Sequence, residues 1–211
     1  MELKGKTINF LGDSITEGHG TTGPEKVFHQ LIKEEYGIKH AYNYGIGGTR
    51  IARQHTPSDN PKHDLTFEVR AEIMERNADA VVVFGGTNDY GHGDASFGTA
   101  DDGEDIYTFF GAVNSLISKL ERDFPKAQLV FMTPLHRLNE TNPSAPDSKT
   151  LADYAEAIRV ICKKRNVPVI DLFEINPLNP ADAEVVPDGL HPNDAGHVIM
   201  AKVIADELLK I

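Results

Sequence analysis

The chain has 211 residues, of which 40% are hydrophobic and 25% are charged, a balance typical of a soluble globular protein rather than of a disordered or membrane chain. Its formal net charge of -11 at pH 7 would repel a phosphate backbone, which makes nucleic acid a poor candidate partner. No apolar run approaches the ~18 to 20 residues of a membrane span, and no linker-like segment divides the sequence, so we expect one domain over residues 1–211.

Short β-rich segments alternate with helical patterns along the chain. The third of these segments contains AVVVF, a run without polar alternation that is typical of a central strand covered on both faces. The alternation predicts an α/β fold with a parallel sheet between layers of helices. The predicted strands are TINFLGD from Thr7, AYNYGI from Ala41, DAVVVFGG from Asp79, AQLVFMTP from Ala127 and VPVIDLF from Val167.

Apolar residues at i, i+3, i+4 and i+7 predict the helices between the strands. One helix is expected from GPEKVFHQLIKEEY, a second over residues 106–120 and a third from Leu151 to Cys162. The last should begin after an N-cap at Asn193. It is expected to bury Val198, Ile199, Ile204 and Leu208.

Three loops rich in glycine and small polar residues follow the first three predicted strands. They are GDSITEGHG, NYGIGGTR and FGGTNDYGHG. Because right-handed crossovers bring the carboxyl ends of parallel strands to one edge, and ligands bind there in open α/β sheets, we expect the functional site at this edge.

A serine, a histidine and an aspartate in these segments have the chemistry of a nucleophilic site. Ser14 follows the first strand, while Asp188 and His191 lie three residues apart in PDGLHPNDAGH, just before the last helix. A serine nucleophile needs a base and an acid that orients the base. The alternative is that Ser14 forms a solvated turn and that Asp188 merely starts one.

Acyl transfer also requires donors for the negative charge that develops on the carbonyl oxygen. The backbone N–H of Gly48, the side-chain amide of Asn88 and the N–H of Ser14 itself are the candidates. Structural readings exist for these residues as well, since Gly-Gly pairs serve turns and asparagine forms Asx-turns.

Four motifs together resemble the blocks of the SGNH, or GDSL-type, esterase and acylhydrolase family. They are GDSIT, NYGIGG, GGTND and DGLHP, in the family's order and over nearly the whole chain. The resemblance implies a flavodoxin-like three-layer α/β/α sandwich with a five-stranded parallel sheet. It also implies Ser14 as nucleophile, His191 as base, Asp188 as its partner, and Ser14, Gly48 and Asn88 as the oxyanion hole. Gly47 stays an alternative to Gly48.

Other polar residues at the same edge are candidates for lesser roles. Asp13 and Asp89 are expected to hold the loops together, and Asp171 is a second choice for the acid. His197 is expected to be packed or exposed rather than catalytic. The substrate pocket is expected to involve Asp13, Thr87, His92 and His136, with walls formed by GHGDASFGTADDGE from Gly91 and HRLNETNPSAPDSK from His136.

The favoured function is hydrolysis of small esters, acetyl or short-chain and with a carbohydrate as a candidate alcohol, with no cofactor and no metal. One alternative is a metal-dependent phosphoesterase with Asp13, Asn88, Asp89, His92 and His191 around two ions. Another is a non-catalytic flavodoxin-like module in which GDSITEGHG binds a phosphate or nucleotide.

The N-terminal segment MELKGKTINFLGD lacks the apolar core and cleavage site of a signal peptide, which favours a cytoplasmic location. A single cysteine, Cys162, fits a reducing compartment. The expected partner is a small ester substrate, without nucleic acid or membrane, and the oligomeric state stays open.

Overall fold

Five parallel strands form one sheet in the order β2-β1-β3-β4-β5. The computed structural model describes residues 1–145 and 147–211. All five predicted strands are confirmed, although β5 contains only 2 residues. The strands are β1 (Thr7–Gly12), β2 (His40–Gly45), β3 (Ala80–Phe84), β4 (Gln128–Met132) and β5 (Val169–Ile170).

Helices cover both faces of this sheet, which confirms the three-layer α/β/α sandwich. Helices α2 and α8 pack on one face, and α3, α5 and α6 pack on the other. None of the helices in the described part of the chain is both long and apolar enough to cross a membrane. The helices are α1 (Ser14–Glu17), α2 (Phe28–Tyr36), α3 (Phe67–Ala71), α4 (Thr87–His92), α5 (Phe109–Asp123), α6 (Leu151–Arg165), α7 (Leu172–Ile175) and α8 (Asp194–Leu208), with 3-10 turns at Pro24–Lys26 and Pro61–Asp64.

Strand β3 is the centre of the sheet, and all five of its residues are buried. Its side chains alternate between the two faces, as the period of a strand requires. Val81 and Val83 join the core under α5 and α6, whereas Val82 and Phe84 join the core under α2 and α8. The prediction from the apolar run AVVVF, that this strand is central and covered on both faces, is therefore confirmed.

Local capping sets where the predicted helices begin. The side chain of Thr108 accepts a hydrogen bond from the N–H of Gly111, so α5 starts at Phe109, and Ile106 lies before the helix rather than in it. Cys162 lies in the apolar stripe of α6 and is buried, which raises the pKa of its thiol to about 12. A thiol in this environment packs as an apolar group.

The predicted buried face of α8 was partly wrong. Asn193 caps the helix as expected, and Ile204 and Leu208 are buried, but Val198 is 57% exposed and Ile199 is 39% exposed. At 3.6 residues per turn, Val198 and Ile199 do not share the stripe that faces α2 and the sheet. That stripe consists of His197, Met200, Ala201, Ile204, Ala205 and Leu208.

The strand order places a topological switch between β1 and β3. The chain leaves β1 to form β2 on one side, and β3 lies on the other side of β1. In flavodoxin-like sheets of this order, ligands bind outside the carboxyl ends of the strands at the switch point. The loops that carry Ser14 and Asn88 follow β1 and β3 and therefore lie side by side at this point.

The revised face of α8 predicts unequal effects of two alanine substitutions in the same helix. Ile204→Ala should lower the free energy of unfolding by about 2 to 5 kcal/mol, because it leaves a cavity in the core. Val198→Ala should change it by less than about 0.5 kcal/mol, since the side chain faces solvent. Urea denaturation of the two variants measures both values, and equal losses would contradict the face assigned here.

Candidate active site

Ser14, His191 and Asp188 form a continuous chain of hydrogen bonds. Ser14 begins α1 directly after β1, and the other two residues lie in the loop before α8. Ser14 Oγ lies 2.9 Å from His191 Nε2, and His191 Nδ1 lies 2.7 Å from Asp188 Oδ2. The sheet and the last helix thus bring together two segments that are 177 positions apart in the sequence.

The Asp188 carboxylate is held in its ionised form. Its other oxygen, Oδ1, accepts hydrogen bonds from the N–H groups of Leu190 at 2.9 Å and His191 at 2.7 Å. Partial burial alone would raise the pKa of Asp188, but the hydrogen bonds from His191 and Leu190 outweigh it and lower the pKa to about 2. A carboxylate can only accept, so His191 donates through Nδ1, and Nε2 is left to accept the Ser14 hydroxyl proton.

A second relay fixes the side chain of Asn88. Arg50 Nη1 donates to His92 Nδ1 at 3.1 Å, so His92 carries its hydrogen on Nε2 and donates it to Asn88 Oδ1 at 3.1 Å. Desolvation of its ring and the neighbouring Arg50 charge lower the pKa of His92 to about 4, which keeps the ring neutral near pH 7. Asn88 Nδ2 then donates one hydrogen to Thr49 O at 3.0 Å and retains a second.

The two glycines of the NYGIGG motif differ in how their N–H groups are used. The Gly47 N–H donates to Glu17 Oε2 at 2.8 Å. The Gly48 N–H has no hydrogen-bond partner among residues 1–145 and 147–211. Gly48 is thus the member of the pair with a donor available to a ligand.

Only glycine fits at position 48. Its φ of +75° lies in the left-handed region that L side chains rarely adopt, and a Cβ there would lie 2.5 Å from the His63 ring. The 3-10 turn at Pro61–Asp64 therefore packs directly against this glycine.

Arg70 joins the loops beneath the site. The guanidinium of this buried residue donates to Gly12 O at 2.7 Å, to Tyr44 O, and to Thr49 Oγ1 at 2.8 Å. Gly12 is the last residue of β1, Tyr44 is the penultimate residue of β2, and Thr49 follows Gly48. One side chain therefore sets the spacing between the Ser14 turn and the Gly48 turn.

The two predicted loop-holding carboxyls are buried and bonded to backbone. Asp13 caps α1 through the N–H of Ile15 at 3.1 Å, and burial raises its pKa to about 7. Asp89 accepts the N–H groups of Ile51 at 3.1 Å and Ala52 at 2.9 Å, and burial raises its pKa to about 6. Asp89 thus joins two loops, as expected, whereas Asp13 caps the helix that follows it and bonds no second loop.

The remaining candidate side chains lie in different surroundings. Thr87 accepts from Arg137 Nη1 at 3.2 Å through both its carbonyl and its hydroxyl. His136 bonds Glu140 at 2.8 Å and the carbonyl of Phe173 at 2.9 Å, which turns it towards α7 rather than Ser14. Asp171, the second choice for the acid, pairs with Arg159 at 2.6 Å instead of with His191. His197 is packed, accepting the N–H of Phe28 at 3.1 Å.

Two cavities open near these residues. A polar cavity of about 280 Å³ lies between the end of α4 and the 137–145 segment, and includes His92. This agrees in part with the predicted walls, apart from Pro146, which lies outside the described residues. An apolar niche next to it is too narrow for a water molecule. The niche is lined by Asp13, Ile15, Phe84, Gly85, Thr87, Pro134, Leu135 and Leu190.

The ligand set of the two-metal alternative is not gathered around a common point. Asp89 is turned to the backbone of Ile51 and Ala52, and Asn88 is bonded to His92. Within the described part of the chain, the group that could hold a metal is His19, Asp188 and His191, whose ligand atoms lie within 4.8 Å of one another. Ser14 and Asp188 already occupy both nitrogens of His191.

Comparison with known families agrees with the motifs. The model of the GDSL-like lipase/acylhydrolase family matches residues 10–199. The chain belongs to this family. It is therefore a carboxylic ester hydrolase, which argues against both the phosphoesterase and the non-catalytic phosphate-binding alternatives. A search of the curated proteins finds no significant match.

Solved structures of this fold cover the whole chain. A protein from Lactobacillus plantarum is 29% identical with a TM-score of 0.81, over 98% of this chain and 98% of that one. A lipase/acylhydrolase from Enterococcus faecalis is 21% identical with a TM-score of 0.66, over 96% and 95% of the two chains. A variant of an acetyl-xylooligosaccharide esterase from Geobacillus is 22% identical with a TM-score of 0.64, over 99% and 96%. The last two likenesses support the GDSL-type fold alone.

Several residues of this GDSL-type site were missed by sequence reasoning. They contact the site from distant parts of the sequence. The sequence feature that could have indicated them is a charged side chain beside a glycine-rich motif, as with Glu17 after GDSIT and Arg50 after GGT. His19 is a further case, since its ring lies edge-on to that of His191 at 4.3 Å. The missed residues are Glu17, His19, Arg50, His63 and Arg70.

The buried carboxyl of Asp13 predicts a pH-dependent stability. Because its pKa is raised to about 7, the folded protein holds a proton that the unfolded chain releases above about pH 4. The associated stability is complete below pH ~4 and is lost as the pH rises through ~7. Relative to wild type, Asp13→Asn should gain stability over this window, on the order of 4 kcal/mol at 1.36 kcal/mol per pKa unit.

Urea denaturation at intervals from pH 4 to 8 measures this difference. Asp79→Asn is the matched control: hydrogen bonding to the Thr7 N–H lowers the pKa of Asp79, so the effect of this variant should be constant over the same range. A difference between Asp13→Asn and wild type that does not change with pH would show that Asp13 is ionised in the folded protein.

Proposed function

We propose that the chain hydrolyses small acetyl or short-chain esters, with a carbohydrate as candidate alcohol, through an acyl-enzyme intermediate on Ser14. The observation that carries the proposal is the unbroken contact of Ser14 Oγ with His191 Nε2 at 2.9 Å and of His191 Nδ1 with Asp188 Oδ2 at 2.7 Å. Nucleophile, base and orienting acid are thus already within hydrogen-bond reach.

The proton movements follow from this arrangement. As Ser14 Oγ attacks the ester carbonyl carbon, His191 Nε2 takes the hydroxyl proton, and the ionised Asp188 stabilises the resulting imidazolium. His191 then gives the proton to the departing alcohol oxygen as the ester C–O bond breaks. Water attacks the acyl group in the second half-reaction, passes a proton to His191, and releases the acid as Ser14 recovers its proton.

Three hydrogen-bond donors are proposed to bind the carbonyl oxygen of the ester. The Ser14 N–H lies in the first turn of α1, where backbone N–H groups have no intrahelical partner. The Gly48 N–H has no hydrogen-bond partner among the described residues, whereas the Gly47 N–H donates to Glu17. Asn88 has one hydrogen remaining on Nδ2 after its bond to Thr49 O. Such donors act because they are fixed before the charge develops.

The lining of the site supports a polar alcohol part of the ester. The apolar niche that includes Asp13 and Leu190 does not admit a water molecule, so as it stands it holds no acyl group and does not discriminate between chain lengths. The neighbouring cavity of about 280 Å³ is lined by polar groups such as Arg137 and Asn142, as expected for a polar alcohol. The Geobacillus protein of this fold, an acetyl-xylooligosaccharide esterase, agrees with such a substrate.

Ser14→Ala should abolish hydrolysis of 4-nitrophenyl acetate while the protein stays folded. The substitution removes the nucleophile but leaves a small side chain in the turn, and losses from one member of such a unit reach about a millionfold. Turnover is followed by release of 4-nitrophenol, and folding by circular dichroism.

A serine-reactive fluorophosphonate supplies the matching control. It should label wild type on the Ser14 peptide and leave Ser14→Ala unlabelled, as read by peptide mass spectrometry. EDTA should leave the wild-type rate unchanged. Full turnover by a folded Ser14→Ala protein would exclude the acyl-enzyme mechanism, and loss of activity in EDTA would revive a metal-dependent one.

Asn88→Ala should lower kcat strongly and KM little, because the bond to the carbonyl oxygen strengthens only as the oxygen gains charge. Removal of one such donor costs on the order of a hundred- to a thousandfold in kcat. Asn88→Asp should be worse, since it puts a negative charge beside the developing one. Steady-state kinetics on 4-nitrophenyl acetate separate kcat from KM.

The conservative variant decides between this role and a turn-forming one. An aspartate forms the same Asx-turn as an asparagine. Wild-type activity in Asn88→Asp would therefore mean that Asn88 only shapes its loop.

A further inference from the structure

The polar cavity beside the site is built around one arginine. It occupies about 280 Å³ between the end of α4 and the segment that follows β4. The Arg137 guanidinium lies 5.6 Å from the centre of the Tyr90 ring, and the Tyr90 hydroxyl donates to Asn139 O at 2.6 Å and Asn142 O at 2.9 Å. The wall that carries the arginine is therefore fixed by its neighbours.

Much of the donor capacity of Arg137 is unused. Its Nη1 bonds the carbonyl and hydroxyl oxygens of Thr87, both at 3.2 Å. Nη2 makes no hydrogen bond with residues 1–145 or 147–211. Nε also lacks a partner, but it is buried and out of reach of a ligand. Arginine offers five N–H donors in a planar fork, a geometry that suits the two oxygens of a carboxylate.

No acidic side chain in the described part of the chain forms an ion pair with this guanidinium. Glu140 is near in sequence, but it is taken by His136 Nδ1 at 2.8 Å and by the backbone N–H of Arg137 at 3.0 Å. Asp13 and Asp188 act on Arg137 through their charges without forming an ion pair with it, and burial still lowers the pKa of the guanidinium. A bound carboxylate would supply the close counter-ion that these residues do not.

Residues that line the cavity are hydrogen-bonded to the loops of the proposed reaction centre. The N–H of Leu138, next to Arg137, donates to Gly189 O at 2.8 Å, beside Asp188. On the other side, His92 lines the cavity and donates to Asn88. A group held by Arg137 would thus belong to a molecule whose ester lies at Ser14.

We infer that Arg137 binds a carboxylate on the ester substrate, so that the enzyme prefers esters with an acidic group on the acyl or the alcohol part over their neutral counterparts. The inference rests on the proposed function, since it assumes hydrolysis at Ser14. It adds a charged group that recognises the substrate to a site whose proposed donors to the carbonyl oxygen are all neutral.

Two pairs of matched esters test the inference and distinguish the two positions of the carboxylate. The acyl pair is the 4-nitrophenyl monoester of glutaric acid and 4-nitrophenyl pentanoate. The alcohol pair is 4-acetoxybenzoate and its methyl ester. For each pair, the ratio of kcat/KM for the acidic ester to that for the neutral ester is measured in wild type, Arg137→Gln, Arg137→Lys and Arg122→Gln.

In at least one pair the ratio should exceed one in wild type and fall by on the order of ten- to a hundredfold in Arg137→Gln, the effect of losing a charge-assisted contact. The fall should appear mainly in KM, and Arg137→Lys should restore part of it as a point charge. Arg122→Gln removes one exposed charge at the far end of α5 and should leave the ratio unchanged.

Other outcomes overturn the inference or the function separately. If Arg137→Gln lowers kcat for acidic and neutral esters alike, Arg137 only supports Thr87, and the inference fails while ester hydrolysis stands. If the ratio is the same in wild type and Arg137→Gln for both pairs, the inference also fails and ester hydrolysis again stands. If Ser14→Ala hydrolyses the neutral esters as fast as wild type, the proposed function fails instead.

A binding measurement makes the test independent of turnover. Calorimetry with Ser14→Ala and a slowly reacting acidic ester of the preferred type, monomethyl glutarate for the acyl pair or 4-acetoxybenzoate for the alcohol pair, should detect binding that is lost when Arg137→Gln is added. Equal binding by both proteins would contradict the inference whatever the kinetics show.

Discussion

The buried guanidinium of Arg70 holds together the loops on which the site depends. It donates to the carbonyls of Gly12, the last residue of β1, and Tyr44, the penultimate residue of β2, and to the hydroxyl of Thr49. Burial lowers the pKa of Arg70 to about 10, which still leaves the group charged near neutral pH. Loss of this side chain would remove a donor from each of these acceptors, although Gly12 O would keep the N–H of Ile46 at 3.2 Å, and each buried acceptor left without a donor costs about 1 to 3 kcal/mol. The distance between the Ser14 and Gly48 turns is thus set by a buried side chain rather than by the loops themselves.

Residues 49–52 extend this support to the third loop. Thr49 O accepts from Asn88 Nδ2, Arg50 donates to His92, and the N–H groups of Ile51 and Ala52 bind Asp89. The three proposed donors are therefore held by the backbone of the first turn of α1, by the loop after β2 and by the start of α4. Preorganisation of this kind is what allows fixed dipoles to stabilise a developing charge without rearrangement. His92 also holds the Asn88 side chain, because its neutral ring accepts a hydrogen bond from Arg50 at one nitrogen and donates one to Asn88 at the other.

The sequence predicted the parts of the fold whose signals are local. The run AVVVF identified the central strand, and the glycine-rich loops indicated the edge at which the candidate site residues lie, because both depend on patterns within one segment. The outward face of α8 was mispredicted at Val198 and Ile199, since apolar character alone does not fix the phase of a helix. Contacts such as Arg70 with Tyr44, or Glu17 with Gly47, depend on how distant segments pack. Nothing in a single segment indicates which of several charged residues will make them.

A crystal structure of the protein phosphonylated by a small fluorophosphonate tests the central claim most directly. The tetrahedral phosphorus imitates the intermediate of acyl transfer, so its oxygen reports where the developing charge would lie. We expect phosphorus bonded to Ser14 Oγ, with one oxygen within about 3 Å of the N–H groups of Ser14 and Gly48 and of Asn88 Nδ2. Phosphorus on another residue, or an oxygen bound by Gly47 while the Asn88 amide points away, would contradict it.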